Sequence, residues 1–221
     1  MKTFDVAQGS PAWIKLRMGI PTASELDALV SPTLKIRTGE GPQTYLYQKL
    51  CCAVTGIPPD DFQSFAMGQG SILEHEAVPW FEFTHEAKVE RVGFCTTDDG
   101  RVGCSPDGLL GSDGGIEIKC PRPETHLKYL LEGTVPTQYL AQIHTSMLVT
   151  GRRWWSFLSY SRQFPALLLR VEYSQEWQDT IRKALDGFYE KFTPAFQKIT
   201  AMRDSENSAK ESAYNKANPN R

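Results

Sequence analysis

Two hydrophobic periods take turns along the chain. Helical spacing governs residues 44–54, where Tyr45, Leu46, Leu50 and Val54 form one stripe. It returns in residues 136–151, with Leu140, Ile143 and Met147, and in residues 176–202, with Trp177, Ile181, Leu185, Phe188 and Phe192. A shorter helix is expected after Ser10-Pro11, a hydroxyl cap followed by proline at the first helical position, with Trp13 and Leu16 on its apolar side. Gly19-Ile20-Pro21 ends it, and Thr22 and Ser24 offer hydroxyl caps to a second helix carrying Leu26, Leu29 and Val30. Period-two alternation predicts strands over residues 88–95, 101–104, 116–120, 154–160 and 166–173, with Asp98-Asp99-Gly100 as a hairpin turn. Residues 124–131 fit a short helix, and Pro79 and Pro194 are expected to kink or end the helices they fall in. Strands and helices interleave, which is the pattern of an α/β fold.

Composition narrows this to one core. A chain of 221 residues with 40% hydrophobic and 11% aromatic side chains can bury one sizeable core. We therefore expect a single domain over residues 1–203, then a polar, disordered tail over residues 204–221. The formal charge of −2 excludes adhesion to nucleic acid by bulk charge, so any such contact must come from local basic patches. Cys51, Cys52, Cys95, Cys104 and Cys120 contain no C-x-x-C pair, which points to reduced thiols and away from an iron–sulfur cluster. The first residues lack an apolar signal core, and no run of about 18 apolar residues occurs, so neither secretion nor membrane spanning is expected.

Candidate chemistry concentrates between Cys104 and Cys120. Ser105-Pro106-Asp107-Gly108 has turn composition and sets Asp107 at a chain reversal, and residues 111–115 make a second one. In Ile116-Glu117-Ile118-Lys119-Cys120 the alternation is that of a half-buried strand with Glu117 and Lys119 on one face. Two acids and a lysine side by side suit a hard divalent cation such as Mg²⁺ held against a phosphate. A structural carboxylate–lysine pair is the plain alternative.

Asp107 followed by Glu117-Ile118-Lys119 is similar to the PD-(D/E)xK nuclease signature. With it come Trp13-x-Lys15-Leu16-Arg17-x-Gly19-Ile20-x-Thr22-Ala23-Ser24-Glu25, Gly70-x-x-x-Glu74 and Tyr139-Leu140-Ala141-Gln142. In order and spacing these resemble the lambda exonuclease family of phage-type alkaline exonucleases over residues 8–160. The resemblance implies a restriction-endonuclease-like core, with a central mixed β-sheet flanked by helices. It implies Mg²⁺-dependent digestion of linear double-stranded DNA, 5′ to 3′ from a 5′-phosphorylated end, releasing 5′ mononucleotides and leaving 3′ overhangs for recombination by strand annealing. One or two ions per subunit are implied, with Mn²⁺ as a substitute. A ring-shaped homotrimer, a phage-type single-strand annealing protein as partner, and the cytoplasm of a bacterial or phage-infected cell follow from it too.

By the same resemblance, Asp107, Glu117, the Ile118 carbonyl and Glu74 would hold metal, and Lys119 would orient the attacking water, with general base as its second role. Arg17, Ser24, Ser105 and Gln142 would take the 5′-phosphate. An endonuclease of repair or restriction type would use the same metal site without a phosphate pocket. Several of these residues also have plainer uses. Ser71-Ile72-Leu73-Glu74 is a formal capping box, so Glu74 is either a helix cap or a metal-site acid. Lys35 and Arg37 either ride on the DNA backbone or only solvate their loop; Met67, beside Phe62 and Phe65, is either a wedge at the duplex end or packed within its own loop. Tyr139 and Gln142, three residues apart on one helix, can both reach the site.

Overall fold

The alternating segments assemble into a five-stranded mixed sheet with helices on both faces, in a computed structural model that describes residues 1–59 and 72–217. In chain order the strands are β1 (Lys2–Phe4), β2 (Val89–Glu90), β3 (Phe94–Thr96), β4 (Gly103–Cys104), β5 (Gly108–Leu110), β6 (Gly114–Lys119), β7 (Trp154–Ser159) and β8 (Leu167–Glu172). The helices are α1 (Pro11–Arg17), α2 (Glu40–Thr55), α3 (Ile72–His85), α4 (Pro123–Glu132), α5 (Leu140–Thr150) and α6 (Gln175–Ala217), with 3-10 turns at Ala23–Ala28 and Thr137–Tyr139. The large sheet runs β2-β5-β6-β7-β8 and is antiparallel except for β6 and β7, a parallel pair that needs a crossover and receives α4 and α5. Strands β1, β3 and β4 form a second, three-stranded sheet.

Strand β6 is covered on both faces, which decides where its polar residues end up. Ile116 and Ile118 pack with Ala77, Val78 and Phe81 of α3, while on the opposite face Trp155 and Phe157 of β7 meet Ile143 and Met147 of α5. Glu117 therefore lies 2% exposed rather than on a half-exposed face. Alternation revealed which way each side chain points but not that a helix covers the polar side. Gly115 makes room for this packing, since a Cβ there would sit 2.4 Å from the Trp155 ring. A third layer of α2, α6 and the Ala23–Ala28 turn closes over α5 through Leu26, Tyr45, Leu50, Ile181 and Phe188.

Other expectations change as well. Residues 88–95 are not one strand, because Gly93 passes so close to the Val6 backbone that a Cβ would lie 2.0 Å from the Val6 carbonyl oxygen, and the chain crosses there from one sheet to the other. The segment after Thr22 is a 3-10 turn whose hydroxyls are used elsewhere, and Thr22 makes no side-chain cap. Pro79 and Pro194 lie inside continuous helices; each removes one internal hydrogen bond, but packed neighbours on both sides (Ala77, Val78 and Phe81; Phe188, Phe192 and Phe196) hold the helix in place. Helix α6 runs as far as Ala217. No glycine or proline interrupts residues 195–217, and Lys210 pairs with Glu206 one turn away at 2.7 Å. Strand β1 was not anticipated. Met67, Phe62, Phe65 and the Ser71 end of the capping box fall outside the described residues. No helix among the described residues is long and apolar enough to cross a membrane.

Candidate active site

Asp107, Glu117 and Lys119 meet at the open end of β6. Strand β5 pairs with β6 only as far as Gly108 opposite Ile116, so Ile118 extends past its neighbour on that side. Asp107 fills the gap, its Oδ2 accepting from the Ile118 N–H at 2.6 Å. In a strand the N–H and C=O of one residue point to the same side, so the Ile118 carbonyl also faces the Asp107 side. Glu117 lies on the α5 face, where its Oε1 takes the Lys119 ammonium at 2.6 Å and the Gln142 amide at 2.6 Å. The Lys119 ammonium lies 5.2 Å from the centre of the Tyr139 ring. Helix α3 brings Glu74, half-buried, into electrostatic range of the group.

Burial and crowding tune these groups. Burial, then the Glu117 charge, push the Asp107 carboxyl up to about 7, against the pull of Lys119 and the Ile118 N–H. Burial also lifts Glu74 above the usual carboxylate range; Lys119 and His75 oppose it and Glu117 adds to it. For Lys119 burial acts downward, but the Glu117 and Asp107 carboxylates outweigh it and hold the ammonium above the ordinary lysine value. Among the described residues no three acidic, histidine or cysteine side chains converge closely enough to cage a metal as they stand. The donor set nonetheless fits a hard cation: crowded carboxylates and a strand-edge carbonyl, all oxygen, beside a cleft.

A second cluster adjoins the first. Arg17, at the end of α1, is buried, only 6% exposed. Its Nη2 donates to Thr22 Oγ1 at 3.2 Å and Ser24 Oγ at 3.1 Å, and its Nη1 to Ser105 Oγ at 3.5 Å. The guanidinium lies 4.3 Å from the Trp13 ring centre, and the Trp13 indole donates to Ser105 Oγ at 2.7 Å. Ser24 and Gln142 line one cleft of about 310 Å³ together with Gln138 and Tyr139, which joins this cluster to the Glu117 site. Gln142 thus touches Glu117 while facing the cleft. Lys35 and Arg37 are exposed on a loop closed by the Val30–Ile36 bridge, and nothing among the described residues ties their side chains to either cluster.

The sequence reading missed Thr22, Trp13 and Arg91 as parts of the site. Trp13 and Arg17 stand four apart on one helix, a signal that was available. Arg91 gave none, because its Nη1 reaches the Asp107 carbonyl oxygen, at 3.3 Å, only through the fold.

Comparison with solved structures agrees with this architecture. The alkaline exonuclease LHK-Exo from Laribacter hongkongensis superposes with a TM-score of 0.78 at 26% identity, covering 89% of this chain and 99% of that one. Its complex with dAMP gives 0.77 at the same identity and coverage. A phage-related exonuclease from Haemophilus somnus 129PT shares the fold, with a TM-score of 0.61 at 13% identity over 83% of this chain and 96% of that one. No curated protein matches the sequence. The profile of the YqaJ-like viral recombinase domain matches residues 12–153, which include every described member of both clusters, and the chain belongs to that family.

Proposed function

We propose that this protein is a DNA exonuclease that degrades one strand of linear duplex DNA, 5′ to 3′ from a 5′-phosphorylated end, releasing 5′ mononucleotides and leaving 3′ overhangs for strand annealing. The observation that carries the reading is the adjacency of two clusters: the Asp107–Glu117–Lys119 group and the Arg17–Ser24–Ser105 group, linked by the cleft that Ser24 and Gln142 share. The likeness to LHK-Exo, whose structure with dAMP holds a deoxynucleoside monophosphate, supports it.

Asp107, Glu117 and the Ile118 carbonyl, with Glu74 from α3, would hold Mg²⁺, or Mn²⁺ in its place, as one or two ions per subunit. When bound, the cation supplies Lewis acidity to the scissile phosphate and to the attacking water. Lys119, kept protonated by its two carboxylate neighbours, is suited to orienting that water and offsetting charge that builds on the phosphoryl oxygens, more than to accepting a proton. Gln142 holds the Glu117 carboxylate in orientation. Arg17, with the Ser24 and Ser105 hydroxyls and the cleft face of Gln142, takes the 5′-phosphate exposed by each cut. The product end is then the next binding determinant, which gives direction and favours repeated cuts. Tyr139, Lys35, Arg37 and Met67 are candidate contacts to the rest of the DNA, and a homotrimer working with a single-strand annealing protein completes the proposal.

An endonuclease would need only the first cluster. Incubating linear and covalently closed circular duplex with Mg²⁺ or EDTA separates the two. Loss of the linear form alone, in Mg²⁺ alone, is the expected result, and cutting of the circle would overturn the exonuclease reading.

A further inference from the structure

Behind Arg17 lies a partly buried ion pair that neither cluster accounts for, with the Lys49 side chain 8% and the Glu25 side chain 29% exposed. Glu25 Oε2 accepts from Thr22 Oγ1 at 2.7 Å and from the Tyr45 hydroxyl at 3.3 Å, and it pairs with the Lys49 ammonium at 2.6 Å. Tyr45 and Lys49, each 6% exposed, stand one turn apart on α2, so a core helix braces this oxygen from two sides. Packing alone gives no reason for a lysine and a glutamate there, because an ion pair that is partly buried and partly screened adds little stability.

The hydrogen-bond directions supply a reason. A hydroxyl has one proton, and Thr22 directs its proton to Glu25, so the lone pairs of Thr22 Oγ1 are left to accept from Arg17 Nη2. Were that proton turned toward the guanidinium, donor would face donor. We infer that Glu25, anchored by Lys49 and Tyr45, is a positioning residue for the 5′-phosphate pocket: through Thr22 it fixes the Arg17 guanidinium between α1, the Ala23–Ala28 turn and Ser105. The inference rests on the reading of Arg17, Ser24 and Ser105 given above. It adds Tyr45 and Lys49 of α2 to the apparatus that recognises the strand end.

The test compares kcat/KM on linear duplexes ending in 5′-phosphate and in 5′-hydroxyl, alongside thermal unfolding. The double variant Glu25→Leu with Lys49→Met removes the acceptor together with the cation that pairs with it, so that Lys49 is not left unpaired. It is expected to melt near the wild-type temperature while its preference for the phosphorylated end falls by about tenfold or more, mostly through KM. Glu25→Gln, which keeps an acceptor oxygen in place, retains most of the preference. Thr22→Val, which leaves the Glu25–Lys49 pair intact, loses it and serves if the double variant does not fold. A wild-type enzyme indifferent to the 5′ group overturns the pocket reading beneath the inference. A wild-type preference that survives both the double variant and Thr22→Val overturns the positioning role alone.

Discussion

Replacing Lys119 by methionine separates the structural and chemical uses of its charge. In the metal-free protein the change leaves Glu117, 2% exposed, with the Gln142 amide but no cation. At 2.6 Å and an effective dielectric near 20, the lost attraction is about 6 kcal/mol before any desolvation is returned. Breaking a fully buried pair costs roughly 3–5 kcal/mol net. The Lys119 side chain is 28% exposed, so water screens part of the interaction, and about 2–3 kcal/mol remains. For a chain of this size that lowers the melting temperature by roughly 5–10 °C in EDTA. Mg²⁺ should recover much of this loss, because a cation beside Glu117 replaces the missing charge. Activity should not recover, since removing one electrostatic stabiliser from the reacting phosphate costs about 10²–10³ in kcat. Melting curves in EDTA and Mg²⁺, with initial rates on linear duplex, measure both. Equal melting of the two proteins in EDTA would refute the claim that Lys119 makes the buried Glu117 tolerable.

Three further outcomes are expected. Asp107, near 7 when folded against about 3.9 unfolded, binds its proton more tightly in the native chain, so its contribution to metal-free stability falls as pH rises from about 4 to about 7; the melting difference between wild type and Asp107→Asn in EDTA should change across that window and level off above it. Arg17→Lys keeps the charge but loses the fork that spans Thr22, Ser24 and Ser105, so the preference for a 5′-phosphorylated end should fall by about tenfold, with a smaller change on 5′-hydroxyl ends. Gly115→Ala pushes a methyl into the Trp155 ring and should destabilise the protein by about 1–3 kcal/mol, read by urea unfolding.

What the sequence reveals here follows the range of each interaction. The β3–β4 hairpin with its Asp98-Asp99-Gly100 turn, the Asp107 corner, α1 with its Ser10 cap and strands β7 and β8 depend on residues a few positions apart, and local pattern suffices for them, whereas β5, three residues long, carries too little pattern to be read. Glu117 and Lys119 were placed on one face by alternation alone, but the burial of that face depends on α5, which follows more than twenty residues later. The burial of Arg17 is not legible locally, because nothing near it in the chain tells of Ser105. Glu25, Tyr45 and Lys49 were legible only as a helix-start acid and two members of an ordinary amphipathic helix. Residues 88–95 alternate like one strand, yet Gly93, with no side chain to declare its purpose, moves the chain from one sheet to another.

The central claim is that a metal-dependent cutting site and a 5′-phosphate pocket act on the same strand end. Its most direct test is a linear duplex carrying a 5′-phosphate, labelled in separate samples at the 5′ or the 3′ end and digested in Mg²⁺. The account predicts that 5′ label leaves first as mononucleotide, that 3′ label remains on long strands until late, and that a 5′-hydroxyl end slows the reaction. Early release of the 3′ label, or equal rates from phosphorylated and unphosphorylated ends, would contradict it.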